Sequence, residues 1–185
     1  MADRVCPWWL GYLLASPIRR LMSDPAKVLS PYVRSGMTVL EPGPGMGFFT
    51  LELARMVGPS GRVIAVDIQP RMLSALKRRA ARARLLERLD VRTADPQSLG
   101  IGDLANAVDF TLAFALVHEL PSAAPFFAEL AAASKTGAGL LFSEPAGHVK
   151  APQFEGEVNE ALRAGFRLVD RPGIRHCRSA FLTRN

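Results

Sequence analysis

From Met37 onward, β-rich runs and helical runs take turns along the chain, and that alternation constrains the fold more than any other feature. Met37–Leu40 reads as a short strand ending at Glu41. The glycine-rich loop Pro42–Gly47 follows, then a helical stretch, Phe48–Val57, with Phe49, Leu53 and Met56 on one stripe. Arg62–Val66 reads as a second strand ending at Asp67. Pro70–Leu86 reads as a long helix with Leu73, Leu76, Ala80 and Ala83 turned inward, and Leu89–Thr93 as a third strand ending at Ala94-Asp95. Val108–Ala115 is apolar on both faces, as central parallel strands are. Pro125–Ser134 is helical, Gly139–Ser143 is a fifth strand ending at Glu144-Pro145, and Phe154–Ala164 is a last helix. Strands joined through helices imply a parallel sheet covered on both faces. The two final strands, Phe166–Asp170 and Cys177–Thr183, leave no room for a helix between them, so they must pair as a hairpin.

A chain of 185 residues predicts one domain with a core that needs no disulfide or metal staple. Residues 36–185 are expected to form that core, preceded by an N-terminal helical lid segment, residues 1–35. Ser16-Pro17 and Asp24-Pro25 each place a capping residue before a proline at a first helical position. The apolar run VCPWWLGYLLA lacks a clear cleavage site and carries Pro7 beside paired tryptophans, so a covering helix or interfacial segment is expected rather than a signal peptide. No apolar run approaches the length of a membrane span. Cys6 and Cys177 are too few for a disulfide framework and make no CxxC, which points to a cytoplasmic setting. They are a weak basis for soft-metal chemistry, and no metal site is expected.

In an open parallel sheet, ligands bind beyond the carboxyl ends of the strands. Those ends carry Glu41, Asp67 and Asp95 on three successive strands, with the loop Gly43-Pro-Gly45-Met-Gly47 after the first. Glycines let backbone turn tightly and approach a ligand, and the helix that follows offers unpaired N–H groups. Asp67 stands where a carboxylate can take both hydroxyls of a ribose. Asp95 stands where one can accept from an exocyclic amine.

The segments VLEPGPGMGFFTLELA, VIAVDIQPRML, VRTADPQSL and VDFTLAFALVHELP together resemble the class I S-adenosylmethionine-dependent methyltransferases, in particular their small-molecule (methyltransferase domain type 11/25-like) group. The resemblance covers Val39 to about Glu144. It implies an α/β, Rossmann-like, doubly wound sheet of seven strands in the order 3-2-1-4-5-7-6, with strand 7 antiparallel. It implies S-adenosylmethionine as cofactor. It also places Gly43, Gly45 and Gly47 along the methionine part, Glu41 near the amino group, Asp67 on the ribose and Ile68 on the adenine. Asp95, with Pro96, then reads the adenine amine, and Ala113 and Phe114 line the cofactor. Pro44 departs from the small residue many members carry there and stiffens the loop. A dinucleotide oxidoreductase is disfavoured, because Phe48 stands where its third glycine belongs.

Methyl transfer from a sulfonium is an in-line displacement, so alignment and exclusion of water are the main tasks. A base is needed only where the nucleophile carries a proton. The candidates are His118, Glu144 and His148, after the fourth and fifth strands, with Glu119 beside them. Trp8, Trp9, Tyr12 and Tyr32 suit an aromatic lid, which argues for a small, uncharged or partly apolar acceptor. The basic residues raise a second reading. Between Arg71 and Arg92, eight of them face only Glu87 and Asp90, so this stretch holds the whole formal charge of +6. An RNA or protein methyltransferase docking through this face is the alternative, as is a non-catalytic cofactor-binding protein. A solvated helix face is favoured over nucleic-acid binding, since no aromatic residues interleave. Nothing in the sequence assigns an oligomeric state.

Overall fold

The computed structural model describes residues 24–185. Cys6, Trp8, Trp9, Tyr12, the Ser16-Pro17 cap and most of the expected lid segment lie outside the described residues. The chain divides after Pro96 into two compact units.

The first unit begins with a short helix, α1 (Pro25–Leu29). Asp24 caps it by accepting from the Ala26 N–H at 3.0 Å, and Pro25 sits at its first position. Three parallel strands follow: β1 (Thr38–Pro42), β2 (Arg62–Asp67) and β3 (Leu89–Thr93). They are linked by α2 (Thr50–Met56) and α3 (Pro70–Arg82). Val39, Leu40, Leu53, Ile64 and Leu76 are wholly buried, and both helices pack against β2. The first helix after the loop starts at Thr50 rather than Phe48.

The long helix also ends earlier than its apolar spacing predicts, at Arg82 instead of Leu86. Arg84 adopts a left-handed φ of 57° and donates to the Ala81 carbonyl at 3.0 Å. Leu85 then donates to Ala80 at 2.9 Å and buries its side chain. This is a helix-ending motif normally built on glycine. With arginine in that place, the sequence hides the stop, and Ala83 is half-buried past the helix end.

The second unit holds β4 (Val108–Phe114), α4 (Ala123–Ala133), β5 (Ser134–Pro145), α5 (Ala151–Arg163), β6 (Phe166–Asp170) and β7 (Cys177–Arg184). β5 runs parallel to β4, and β7 runs antiparallel to both β5 and β6, so the expected hairpin is present. Gly139 is required where β5 crosses two rings. A Cβ there would sit 2.9 Å from Phe181 and 3.2 Å from Phe110. α5 begins three residues before Phe154, because Pro152 is accommodated within a first turn. The strand order is β3-β2-β1-β4-β5-β7-β6, a Rossmann-like α/β sheet with β7 antiparallel. No helix among the described residues is long and apolar enough to cross a membrane.

Candidate active site

In the first unit, the chain leaves β1 at Glu41 and turns through Gly43, Gly45 and Gly47, whose φ angles are 69°, 54° and 84°. All three lie in the left-handed region, where a side chain is strained. The surroundings of two of them differ. A Cβ on Gly47 would crowd the Leu76 side chain of α3, whereas a Cβ on Gly45 would meet nothing within 4 Å. Gly45 therefore borders open space. The loop is tied from two sides. Asp67, at the end of β2, accepts the Gly45 N–H through Oδ2 at 3.2 Å and the Gln69 N–H through Oδ1 at 2.9 Å. Arg79, from α3, donates to the Met46 carbonyl.

Glu41 is 4% exposed, and its Oε2 has no hydrogen-bond partner. Burial pushes its carboxyl up to about 8, with the nearby Thr50 hydroxyl opposing and the Asp67 charge adding to the rise. Burial raises Asp67 as well, against the N–H groups that hold its carboxylate. Each Asp67 oxygen keeps lone-pair capacity beyond its bond to Gln69 or Gly45. Ile68 follows with 41% of its surface exposed, an unusual place for a large apolar side chain. Asp95 and Pro96 are exposed beyond β3.

These features fit S-adenosylmethionine on physical grounds. A cationic amino group answers the unpaired buried oxygen of Glu41. A ribose diol answers the remaining acceptor capacity of Asp67. The exposed Ile68 offers an apolar face to a base, and the space at Gly45 admits a ligand against bare backbone.

In the second unit, Ala113 is wholly buried in β4 and offers no exposed side-chain surface, while Phe114 is half-buried at the strand end. Ala115 turns the chain with φ 54° and donates to the Ser143 carbonyl at 2.7 Å. The following turn brings His118 to Glu144. His118 Nδ1 bonds Glu144 Oε2, and Glu144 Oε1 accepts the Val117 N–H at 2.7 Å and the Leu116 N–H at 3.2 Å. Glu144 is wholly buried, whereas the His118 side chain keeps 21% exposure. The bond to Glu144 raises the imidazole above its ordinary value, with partial burial opposing. With Nδ1 engaged by a carboxylate, Nε2 of the neutral ring is the acceptor. The His148 ring lies near-parallel to His118, centroid to centroid 6.3 Å.

Two residues of this cluster were not among the sequence candidates. Glu157, on α5, is 9% exposed, and Gln153 donates to its Oε1 at 3.0 Å. The available signal was a carboxylate on the same helical stripe as Phe154, Val158 and Ala161.

A Rossmann-like sheet in this strand order, with acids at the ends of its first strands and a glycine-rich loop, defines the class I S-adenosylmethionine-dependent methyltransferases. The chain belongs to the methyltransferase domain family, whose model matches residues 39–137. A crystal structure of a SAM dependent methyltransferase from Aquifex aeolicus is similar over 98% of this chain and 100% of that one, with TM-score 0.87 and 25% identity. Two relatives are named protein-L-isoaspartate O-methyltransferase. The one from Methanothrix thermoacetophila is 42% identical over 82 residues, 44% of this chain and 37% of that protein. The one from Triticum aestivum is 30% identical over 69 residues, 37% of this chain and 30% of that protein. The chain's match thus spans about a third of the length of these relatives.

Proposed function

We propose that the protein methylates a hydroxyl group of a small molecule in the cytoplasm, with S-adenosylmethionine as donor and His118 as general base. The observation that carries this reading is the His118–Glu144 pair. Glu144 is anchored by two backbone N–H groups and directs its second oxygen at His118 Nδ1, which is the arrangement of a base oriented by a third group.

The bound cofactor supplies an electrophilic methyl group on a cationic sulfur. An acceptor hydroxyl would receive that methyl group in place of its proton, the sulfur keeping the electron pair of the bond it gives up. His118 takes the hydroxyl proton at Nε2, and Glu144 stabilises the imidazolium that results. Glu41 holds the cofactor amino group, and Asp67 the ribose hydroxyls. Ile68, Asp95 and Pro96 serve the adenine, and Gly43, Gly45 and Gly47 pass the methionine part. Phe114 and the backbone at Ala113 complete the lining, and His148 assists on the acceptor side. Residues 36–185 act as one catalytic domain, and residues 1–35 shape acceptor choice.

A second reading follows the two named relatives and takes an L-isoaspartyl residue of a protein as acceptor. The dyad favours the first. A carboxylate acceptor carries no proton at neutral pH and needs no base, whereas a hydroxyl does. The test is transfer of labelled methyl from S-adenosylmethionine to a panel of small phenols and alcohols, beside an isoaspartyl peptide. Methylation of the peptide alone, or full activity in His118→Asn, overturns the proposal.

A further inference from the structure

Thr50 is the first residue of α2, and the proposed transfer does not use it. It is wholly buried. Its Oγ1 has no hydrogen-bond partner, so the hydroxyl neither caps the helix nor bonds back to the preceding turn. Valine would fill nearly the same volume without a polar atom, and an unpaired buried hydroxyl is costly. The side chain lies against the glycine loop, with Oγ1 3.5 Å from where a Cβ on Gly47 would stand.

Among the described residues of the first unit, Thr50 Oγ1 and Glu41 Oε2 are the two buried side-chain polar atoms without a partner. They are also neighbours. The Thr50 hydroxyl favours the ionised form of Glu41, against the burial and the Asp67 charge that oppose it. The charged groups on the adjoining elements are engaged with the loop. Asp67, on β2, accepts the Gly45 and Gln69 N–H groups, and Arg79, on α3, donates to the Met46 carbonyl. A carboxyl group donates when protonated and only accepts when ionised. A backbone N–H suits one of those forms and a carbonyl the other. A hydroxyl suits both, because its hydrogen rotates.

We propose that Thr50 is a positioning residue for Glu41, whose hydroxyl accepts from the protonated acid and donates to the carboxylate once the cofactor amino group is bound. This rests on the reading above in which Glu41 holds that amino group. It adds a residue that aims the carboxylate and favours its ionisation.

The probes are S-adenosylhomocysteine, which keeps the amino group, and 5′-methylthioadenosine, which lacks it. Each is titrated into the full chain by calorimetry between pH 6 and pH 9. Thr50→Val should weaken S-adenosylhomocysteine about tenfold at pH 7, a difference of about 1.4 kcal/mol, and leave methylthioadenosine within about twofold. The pH at which S-adenosylhomocysteine binding reaches its plateau should move upward, because the group that favours the carboxylate is gone. The ligand's own ionisation is common to all variants and cancels in their comparison. Thr50→Ser should restore both the affinity and the profile. The melting temperature of Thr50→Val should hold or rise, since a buried hydroxyl without a partner is replaced by a methyl group. Thr50→Ala removes the hydroxyl by a second route and should repeat the selective loss. Unchanged affinity and profile in Thr50→Val overturn the proposal. So does an equal loss for both ligands, or a serine variant that behaves like the valine one. Glu41→Gln separates the two assignments. If it weakens S-adenosylhomocysteine alone while Thr50→Val matches the unaltered protein, this inference fails and the role of Glu41 stands. If neither variant affects the ligand that carries the amino group, both fail.

Discussion

Glu41 and Glu144 hold comparable places in the two units. Each is at the carboxyl end of a parallel strand, β1 or β5, and each is buried, at 4% and 0% exposure. Their surroundings are opposite. Glu144 accepts from the Leu116 and Val117 N–H groups and bonds the His118 ring, so both of its oxygens are filled by the protein. Glu41 keeps Oε2 unpaired, and burial holds its carboxyl up to about 8. A filled buried carboxylate orients protein groups. An unfilled one is costly to the protein alone and is completed by a ligand that brings a donor or a positive charge.

The largest expected effect tests what Glu144 orients. His118→Asn removes the base and should lower kcat by about 100- to 10,000-fold. Calorimetry should show S-adenosylmethionine binding unchanged. A matching loss of cofactor affinity would show that the histidine holds the cofactor rather than a proton. Glu144→Ala leaves two backbone N–H groups and an imidazole without their acceptor, so it should cost about 3 kcal/mol in denaturant unfolding. That cost depends on pH. The raised His118 pKa means that the pair's contribution is complete below the ordinary histidine value and fades as pH rises through the raised one. An equal cost at pH 5 and pH 9 would refute the pairing.

Glu41→Gln tests the other side. It should weaken S-adenosylmethionine by about 10- to 100-fold, the size of a lost charge-assisted bond. Stability should move the other way. A carboxyl raised to about 8 stabilises the fold while protonated and loses that contribution as pH climbs from its ordinary value through 8. The cofactor-free variant should therefore gain stability relative to the unaltered protein across that interval. Binding to the unaltered protein should tighten with rising pH, by at most about tenfold per unit, because the complex needs the carboxylate. A flat binding profile below pH 8 would mean that Glu41 stays protonated in the complex.

This contrast was only partly legible in the sequence. Acids at strand ends, glycines after β1 and two final strands without a helix between them are patterns of spacing, and the strands fall close to where that spacing puts them, except that β5 starts at Ser134, five residues before the expected Gly139. The state of each acid is not a matter of spacing. Whether Glu144 is filled depends on the turn through Leu116 and Val117, which brings two N–H groups to it from 27 and 28 residues away. Glu157 was missed because a charged residue on a helix is ordinarily solvated, and only the packing of α5 buries it. The end of α3 was missed because arginine occupies the left-handed position that glycine normally marks. The lid residues Trp8, Trp9 and Tyr12 lie outside the described residues.

The smallest effects separate residues within the basic run itself. Arg79 and Arg88 donate to the Met46 and Ala54 carbonyls, and Arg92 pairs with Asp90 at 2.7 Å, so part of the charge is used inside the first unit. Lys77, Arg78 and Arg82 are exposed on α3. Arg79→Met keeps the length of the side chain but removes the donor that holds the glycine loop. It should weaken S-adenosylmethionine about fivefold, roughly 1 kcal/mol for one lost hydrogen bond, and raise KM for the cofactor with kcat little changed. Replacing Lys77, Arg78 and Arg82 together by Gln should leave unfolding within about 0.5 kcal/mol and small-molecule methyl transfer within about twofold. The same triple variant is the sharpest probe of the alternative acceptors. If it abolishes a salt-sensitive association with RNA or an acidic protein that the unaltered chain shows, the basic face is a docking surface and the acceptor is macromolecular. If no such association exists to lose, the exposed charge is solvation, and within this run the cofactor depends on Arg79.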